Sequence, residues 1–367
     1  MADSAFNPLG QNLPAGPVRS VDGVYESAET SPEGGVFKFI SIMWKFFFAK
    51  PANTRPAGVI PVQAITRADL LAAPDRTVYK LGHSTLLFKL RGKLWLTDPV
   101  FSKRASPFQF AGPKRFHAPP ISIDDLPEIE GVILSHDHYD HLDKGTILRL
   151  ADKVNHFITA RGVGDLLIEW GVEAENIRQL HWWQSIDVDG LRLVATPTQH
   201  FSGRGLFHRN RTLWSSWVIL DREFKIFYGA DSGYFEGFQE IGEQFGPFDV
   251  TFLENGAYNE NWAEIHMQPE ETAQAHLDLR GRRLVPIHNG TFDLAMHPWF
   301  EPMERIWELA ERHGIAIRTP RFGEPLHLEE TDDRGAAGNA APGSELGLQQ
   351  GWRLWWRGVD RGTDRRN

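Results

Sequence analysis

The chain contains no cysteine. Disulfides are therefore excluded, and so are thiolate ligands, which leaves His, Asp and Glu as the side chains for any bound metal. No apolar run reaches the roughly 20 residues needed to cross a bilayer. The beginning, MADSAFNPLGQNLPAGP, lacks the basic start and apolar stretch of a secretory signal, so a cytoplasmic location is the default expectation. Positive charge is also scarce: 39 Lys and Arg against 48 Asp and Glu give a formal net charge of -9 at pH 7. A sequence-independent nucleic-acid binder needs clustered cations to displace phosphate counterions, so no nucleic-acid partner is expected.

What is present has the composition of a globular protein, 41% hydrophobic and 24% charged over 367 residues, enough for a substantial core in one large domain or two. Residues 1–36, rich in Gly, Pro, Ser and Asp without apolar periodicity, read as a flexible or loosely packed leader. Residues 37–50, FKFISIMWKFFFAK, form an aromatic and aliphatic run punctuated by Lys38, Lys45 and Lys50. Together with a lead-in to residue 76, this run has two readings: packing on the main domain, or peripheral contact with the inner face of a membrane, its lysines snorkelling to the surface. The regular body spans 77–330. A Gly, Ala and Asp-rich variable tail, 331–367, carries the patch GWRLWWRG, whose Trp352, Trp355 and Trp356 either dock on the body or belong to a variable end.

Within the body, strand-like runs at 84–90 and 93–97, joined by Arg91 and Gly92, predict a hairpin. Further strands are expected at 131–135, 155–159, 191–196, 214–220, 225–229, 249–254 and 284–288. Helices are expected at 162–170, at 269–279 with its Pro-Glu-Glu start, and at 302–313, ended by Gly314. Strand runs followed by alternating strands and helices imply an α/β fold of stacked sheets covered by helices.

The strongest local signal is SHDHYDHLD, residues 135–143, directly after the apolar run Gly131-Val-Ile-Leu. A turn at the carboxyl end of a strand aims alternate side chains at a common point. His136 and His138 can then bind one ion while Asp140 and His141 bind another, and zinc suits these nitrogen and oxygen donors.

The pattern His136-Asp-His138-Tyr-Asp140-His141 resembles the signature turn of the metallo-β-lactamase superfamily. That family takes further ligands from later strand ends, and His200 in ATPTQHFSGR, Asp231 in FYGADSGY and His288 in LVPIHNGTF stand in the right order. The resemblance implies a four-layer αβ/βα sandwich of two mixed sheets flanked by helices. It also implies that His136, His138 and His200 hold one zinc, that Asp140, His141 and His288 hold the other, and that Asp231 bridges them; manganese or iron can occupy similar donors. Asp98 in WLTDPV matches an early strand-end aspartate that orients the metal turn, although an Asp before Pro99 also suits a simple turn.

A closer resemblance covers most of residues 77–328. GHSTLLFKLRGKLWLTDPVFSKRASPF, GPKRFHAPP, GAYNENW, MQPEETAQAH and IHNGTFDLAMHPWFEP are similar to successive blocks of the N-acyl-phosphatidylethanolamine-hydrolysing phospholipase D group. Asn289 stands where human-type members have tryptophan. Di-iron members of the wider superfamily place a carboxylate where this chain has His138, which favours hydrolysis over redox chemistry. The group implies a phosphodiesterase whose paired ions lower the pKa of a shared water and offset charge on a phosphoryl oxygen. Asp140 or Asp231 would steer that water's proton, and His266, before the PEE helix, would contact substrate or transfer a proton; a surface histidine at a helix start is the alternative.

A phospholipid or other phosphodiester substrate is thus expected. Aromatics near the motifs (Trp182, Trp183, Phe201, Trp214, Trp217, Trp262, Phe292, Trp299) either floor an acyl groove or fill the core. Lys103-Arg104 and Lys114-Arg115 either meet a phosphate headgroup or form a solvated loop. A lactonase acting on a phosphorylated sugar acid, and a membrane-associated metal-binding scaffold without turnover, are the competing readings.

Overall fold

A computed structural model describes residues 24–25, 50–51, 53–205, 208–329 and 354–360. One sheet collects β1 (Thr77–Gly82), β2 (Thr85–Leu90), β3 (Lys93–Thr97), β4 (Ile129–Leu134), β5 (Val154–Ala160), β6 (Ile177–Leu180) and the late β13 (Pro325–His327), in the order β13-β1-β2-β3-β4-β5-β6. The second is built from β7 (Ser185–Val188), β8 (Leu191–Thr196), β9 (Ser216–Asp221), β10 (Phe224–Tyr228), β11 (Val250–Glu254) and β12 (Leu284–Ile287), in the order β12-β11-β10-β9-β8-β7. Both sheets are mixed. The β2–β3 hairpin runs in register from Leu86 opposite Thr97 to Leu90 opposite Lys93, whereas β3, β4, β5 and β6 are parallel. Arg91 (φ 54°) and Gly92 (φ 75°) supply the two left-handed residues that a tight hairpin turn matching strand twist demands.

Alternation along the strands divides the core into three layers. Leu87, Leu96, Val132 and Leu134 point outward from the first sheet against α1 (Arg67–Ala72), α2 (Lys144–Leu150) and α3 (Val163–Glu169), through Leu70, Ile147 and Leu167. Leu86, Phe88, Trp95 and Ile133 point the other way, meeting Leu193, Trp217, Ile226 and Phe252 of the second sheet. Val194, Val218 and Leu253 pack outward on α4 (Gly237–Phe245), α5 (Pro269–Asp278) and α6 (Glu301–His313) through Phe238, Ala273 and Ile306. The result is a helix–sheet–sheet–helix sandwich. Gly131 permits the central approach of β3 and β4, because a Cβ there would lie 2.3 Å from the Trp95 ring.

The predicted strands and helices are present, with shifted ends: β9 begins at Ser216, two residues after the predicted start. The strands β1, β6, β7 and β13 and the helices α1, α2 and α4 were not predicted. The short β6 and β7 alternate weakly, with Arg178 and Asp187 exposed among few apolar residues. The N-cap of α2 is Asp143, whose side chain accepts from Gly145 N at 3.1 Å, so the same aspartate closes the metal turn and opens a helix.

Of the expected leader, Tyr25 is buried and its N–H donates to Asn210 O at 2.8 Å. Residues 37–49 and Trp352 lie outside the described residues. Trp355 and Trp356 dock on the body, in an apolar cluster with Ile60, Trp299, Met303 and Phe322. Among the described residues no helix is long and apolar enough to cross a membrane.

Candidate metal centre

Apart from His266, which precedes the helix at 269–278, the polar groups of the centre lie at or just past the carboxyl end of a strand. His83 follows β1, Asp98 follows β3, the 135–143 turn follows β4, His200 follows β8, Asp231 follows β10, Glu254 ends β11 and His288 follows β12. Both sheets therefore present their carboxyl ends to one edge of the sandwich. The chain turns there abruptly: His83 (φ 49°), Asp98 (φ 36°), Ala230 (φ 50°) and His288 (φ 61°) are all left-handed. Such conformations cost about 1–3 kcal/mol each and persist where surrounding structure fixes them.

The seven residues predicted as ligands meet. His136, His138, His200 and Asp231 place ligand atoms within 4.8 Å of one another, and so do His83, Asp140, His141 and His288. In the first group His136 Nε2 and His200 Nε2 approach His138 Nδ1 to 2.9 and 3.2 Å, and Asp231 Oδ2 stands 3.9 and 3.7 Å from the first two. In the second, Asp231 Oδ1 lies 3.0 Å from His141 Nε2 and 3.1 Å from His288 Nε2, while Asp140 Oδ2 lies 3.4 Å from His288 Nε2. Asp231 thus turns one oxygen toward each group.

The far nitrogens decide which lone pairs face inward. His200 Nδ1 donates to Ile265 O at 2.9 Å and His141 Nδ1 to Asp98 Oδ2 at 2.8 Å. Ser135 Oγ donates to Asp98 Oδ2 at 2.5 Å and can then accept from His136 Nδ1 at 2.9 Å. With those protons directed outward, the inner nitrogens of His136 and His200 carry lone pairs, and that of His141 does so once an ion displaces its proton. His141 Nε2, His288 Nε2 and Asp231 Oδ1 are buried without a hydrogen-bond partner although they converge. Burying such unsatisfied acceptors together is costly, and a cation between them removes the cost; the donor set fits a metal.

Asp98 is the hub behind the turn. Fully buried, it accepts from Ser135 N (2.8 Å), Ser135 Oγ, His141 Nδ1 and Tyr228 OH (2.6 Å), so it does more than initiate a turn before Pro99. Arg204 ties the turn to the His200 loop, donating to Asp137 O at 2.7 Å and Leu142 O at 2.6 Å.

The two groups differ electrostatically. Burial holds His136, His138 and His200 below the ordinary histidine range. Burial is again the largest single influence on His141 and His288 and acts downward, but the charges and hydrogen bonds of Asp231 and Asp140 together outweigh it and hold His141 well above that range and His288 up at about 10.

Two residues were missed. His83 Nε2 donates to Asp140 Oδ2 at 3.0 Å, and its ring lies 3.9 Å from that of His288. Buried Glu254 accepts from His266 Nδ1 at 2.7 Å and Met267 N at 2.8 Å. His266 itself belongs to the centre, its ring 5.1 Å from His200 and 5.3 Å from His288. A polar residue just past an apolar strand was the available signal for both. Of the candidate groove aromatics, Trp183, Trp214, Trp217 and Trp299 are buried in the core, whereas Phe201 borders His138 at 4.5 Å and Phe292 borders His83 at 5.3 Å. Arg115 is buried with its guanidinium on Ser102 O and Val100 O, which removes it from a headgroup role.

The family model of the β-lactamase superfamily domain matches residues 95–289, a span that contains all seven predicted ligands. The chain belongs to that superfamily. An uncharacterized protein of Mycobacterium tuberculosis is 44% identical to this superfamily member over 289 residues, 77% of this chain and 76% of the relative. N-acyl-phosphatidylethanolamine-hydrolyzing phospholipase D 1 of Caenorhabditis elegans is 32% identical over 266 residues, 69% of this chain and 74% of the relative. Among solved structures, a metallo hydrolase from the archaeon Ignicoccus hospitalis superposes with a TM-score of 0.52 at 20% identity, covering 70% of this chain and 99% of that one. This superfamily member is a metallo-β-lactamase-fold hydrolase with His/Asp clusters capable of binding metal.

Proposed function

We propose that the protein is a binuclear zinc-dependent phosphodiesterase of phospholipase D type, acting on N-acyl-phosphatidylethanolamine-like phospholipids. The observation that carries this reading is Asp231, whose two oxygens face separate donor sets. His136, His138 and His200 with Asp231 Oδ2 would hold one ion, and Asp140, His141 and His288 with Asp231 Oδ1 the other. Nitrogen and carboxylate donors without thiolate suit zinc in a site that leaves a position for water. The substrate class is supported by likeness to the nematode phospholipase D and by the long sequence blocks that resemble that group.

When bound, a pair of zinc ions would lower the pKa of a water and offset charge on a phosphoryl oxygen. The chain's own residues supply the rest. Asp140 and Asp231 are carboxylates positioned to hold the proton of an attacking water. His266, with Nδ1 committed to Glu254, keeps Nε2 available for a proton at the leaving oxygen. Phe201 and Phe292 exclude solvent beside His138 and His83. The products would be a phosphatidic acid and an N-acylated amino alcohol.

The test is metal analysis of the purified zinc-loaded protein combined with turnover of N-acyl-phosphatidylethanolamine, phosphatidylethanolamine and a phosphorylated sugar lactone. Two ions per chain and release of phosphatidic acid from the first substrate are expected. Turnover of the lactone alone would move the assignment to a lactonase, and two ions without any turnover would leave a metal-binding scaffold.

A further inference from the structure

Residues 99–123 contain no Asp or Glu but include Lys103, Arg104, Lys114 and Arg115, in a chain whose net charge is -9. Within this stretch Arg104 pairs with Lys114 across an antiparallel bridge, Ala105 N donates to Pro113 O at 3.1 Å and Arg115 N to Lys103 O at 3.0 Å. The segment is therefore a hairpin, and its tip carries Phe108 and Phe110, 56% and 81% exposed, with rings stacked 5.3 Å apart. The other exposed large apolar side chains among the described residues, Val59, Leu71, Leu148, Ile168 and Leu277, are all aliphatic. The tip is ordered from within: Arg104 Nε donates to Gln109 O at 3.2 Å and Arg104 Nη1 to Gly112 O at 2.5 Å, while Gln109 Nε2 donates to Arg104 O at 3.2 Å.

The hairpin stands on the rim of the metal centre. At one foot Ser102 N donates to Asp143 Oδ2 at 3.0 Å and Phe101 N to Thr146 Oγ1 at 2.9 Å, both partners belonging to the metal turn and its helix. At the other, Phe116 N donates to Thr291 O at 2.8 Å, and Thr291 Oγ1 accepts from His83 N at 2.7 Å. Val100, Ala105 and Phe292 form a buried cluster between these feet, and Phe292 lies against His83.

We propose that the 103–115 hairpin is a membrane-docking element, which sets Phe108 and Phe110 into the interface of an anionic phospholipid bilayer with Lys103 and Lys114 at the headgroups. Aromatic rings partition into that interface, and nearby cations add attraction to an anionic surface. A second copy of the chain fits less well. Two phenylalanines bury about 150–250 Å² each, so a symmetric contact through both tips falls short of the roughly 1,200 Å² of a stable interface. The inference rests on the phospholipid reading for its substrate and deepens it, since docking there brings headgroups to the side of the centre formed by His83, Asp140 and His288.

The absence of cysteine makes the test specific. The full chain with Phe110→Cys, labelled with an environment-sensitive thiol-reactive fluorophore, is mixed with phosphatidylcholine vesicles and with phosphatidylcholine–phosphatidylglycerol vesicles. A blue shift with the anionic vesicles alone is expected, while the same label at Leu277→Cys on α5 stays in water. Phe108→Ser with Phe110→Ser should lower affinity for anionic vesicles about tenfold or more, with bound metal retained. Lys103→Glu with Lys114→Glu should remove the preference for anionic lipid. Co-sedimentation with an unshifted label at 110, an undiminished affinity of the double serine variant, a failure to bind vesicles, or a shift arising from self-association without lipid would each overturn the proposal. Phospholipid hydrolysis in detergent micelles with an unshifted label would remove the docking and keep the activity; insertion without hydrolysis of any phospholipid would do the reverse.

Discussion

The two halves of the metal centre are built from the same residue types and behave differently. The His136, His138 and His200 half has three histidines held low by burial and a single carboxylate oxygen from Asp231. The other half sets two histidines against two carboxylates, Asp140 and Asp231, whose charges hold His141 and His288 up. It also has the denser backing: Asp98 behind His141, and His83 beside Asp140. One half faces the centre mainly with neutral nitrogens, the other mainly with carboxylate charge. Among the described residues Asp231 is the only carboxylate placed to serve both.

That contrast is broken most severely at Asp231. Asp231→Ala should empty both halves and abolish hydrolysis; elemental analysis showing two ions retained, or full activity, would remove the bridging role. His200→Ala and His288→Ala sharpen the comparison by emptying one half each, with about one ion per chain in either variant. If each variant instead lost both ions, the halves would be a single cooperative site. A smaller effect is expected one layer out. Tyr228→Phe removes the 2.6 Å hydrogen bond to Asp98 and leaves His141 less firmly held, at a cost of about 10–100-fold in metal affinity or activity. Zinc titration of Tyr228→Phe against a chelator measures this, and the larger loss should fall on the two-carboxylate half, because Asp98 bonds His141 directly and His136 only through Ser135; equal weakening of both halves would contradict the asymmetry.

How much of this was legible in the sequence follows from where each signal sits. The 135–143 turn packs its donors into consecutive positions, so it declares itself without any knowledge of the fold. His200, Asp231 and His288 are lone polar residues after apolar runs, and only the family pattern gathers them. His83 and Glu254 have the same local signature, but their function depends on register between distant strands: β1 and β12 come together through an isolated bridge of His83 with Asn289. Likewise, nothing local distinguishes buried Arg115 from exposed Lys114; the fold alone turns one guanidinium inward onto Val100 O and Ser102 O. The choice between docking and a variable end for Trp355 and Trp356 was left open for a similar reason, since their apolar partners Ile60, Trp299 and Phe322 are scattered over the chain.

The smallest effect concerns Lys80, a fully buried lysine in the middle of β1 that backs the two-carboxylate half. Its Nζ donates to Pro286 O at 3.0 Å and Asn289 Oδ1 at 2.8 Å, on either side of the left-handed His288. Burial pushes its pKa down to about 7 from 10.5. Between those two values the folded chain holds Lys80 neutral while the unfolded chain keeps its proton. The unfolded state then binds more protons, so stability rises with pH across that window. Below about 7 both states are protonated, the slope vanishes and the full cost of the buried charge remains. Lys80→Met lacks this contribution. Urea unfolding of both proteins from pH 7 to 10 should show wild type gaining on Lys80→Met by up to about 1.4 kcal/mol per pH unit, whereas parallel curves would mean that Lys80 does not lose its proton in the fold. Because the methionine variant also releases Asn289, zinc affinity in the half containing His288 should fall by less than the Tyr228→Phe variant's loss; an effect on the three-histidine half alone would place Lys80 behind the wrong ion.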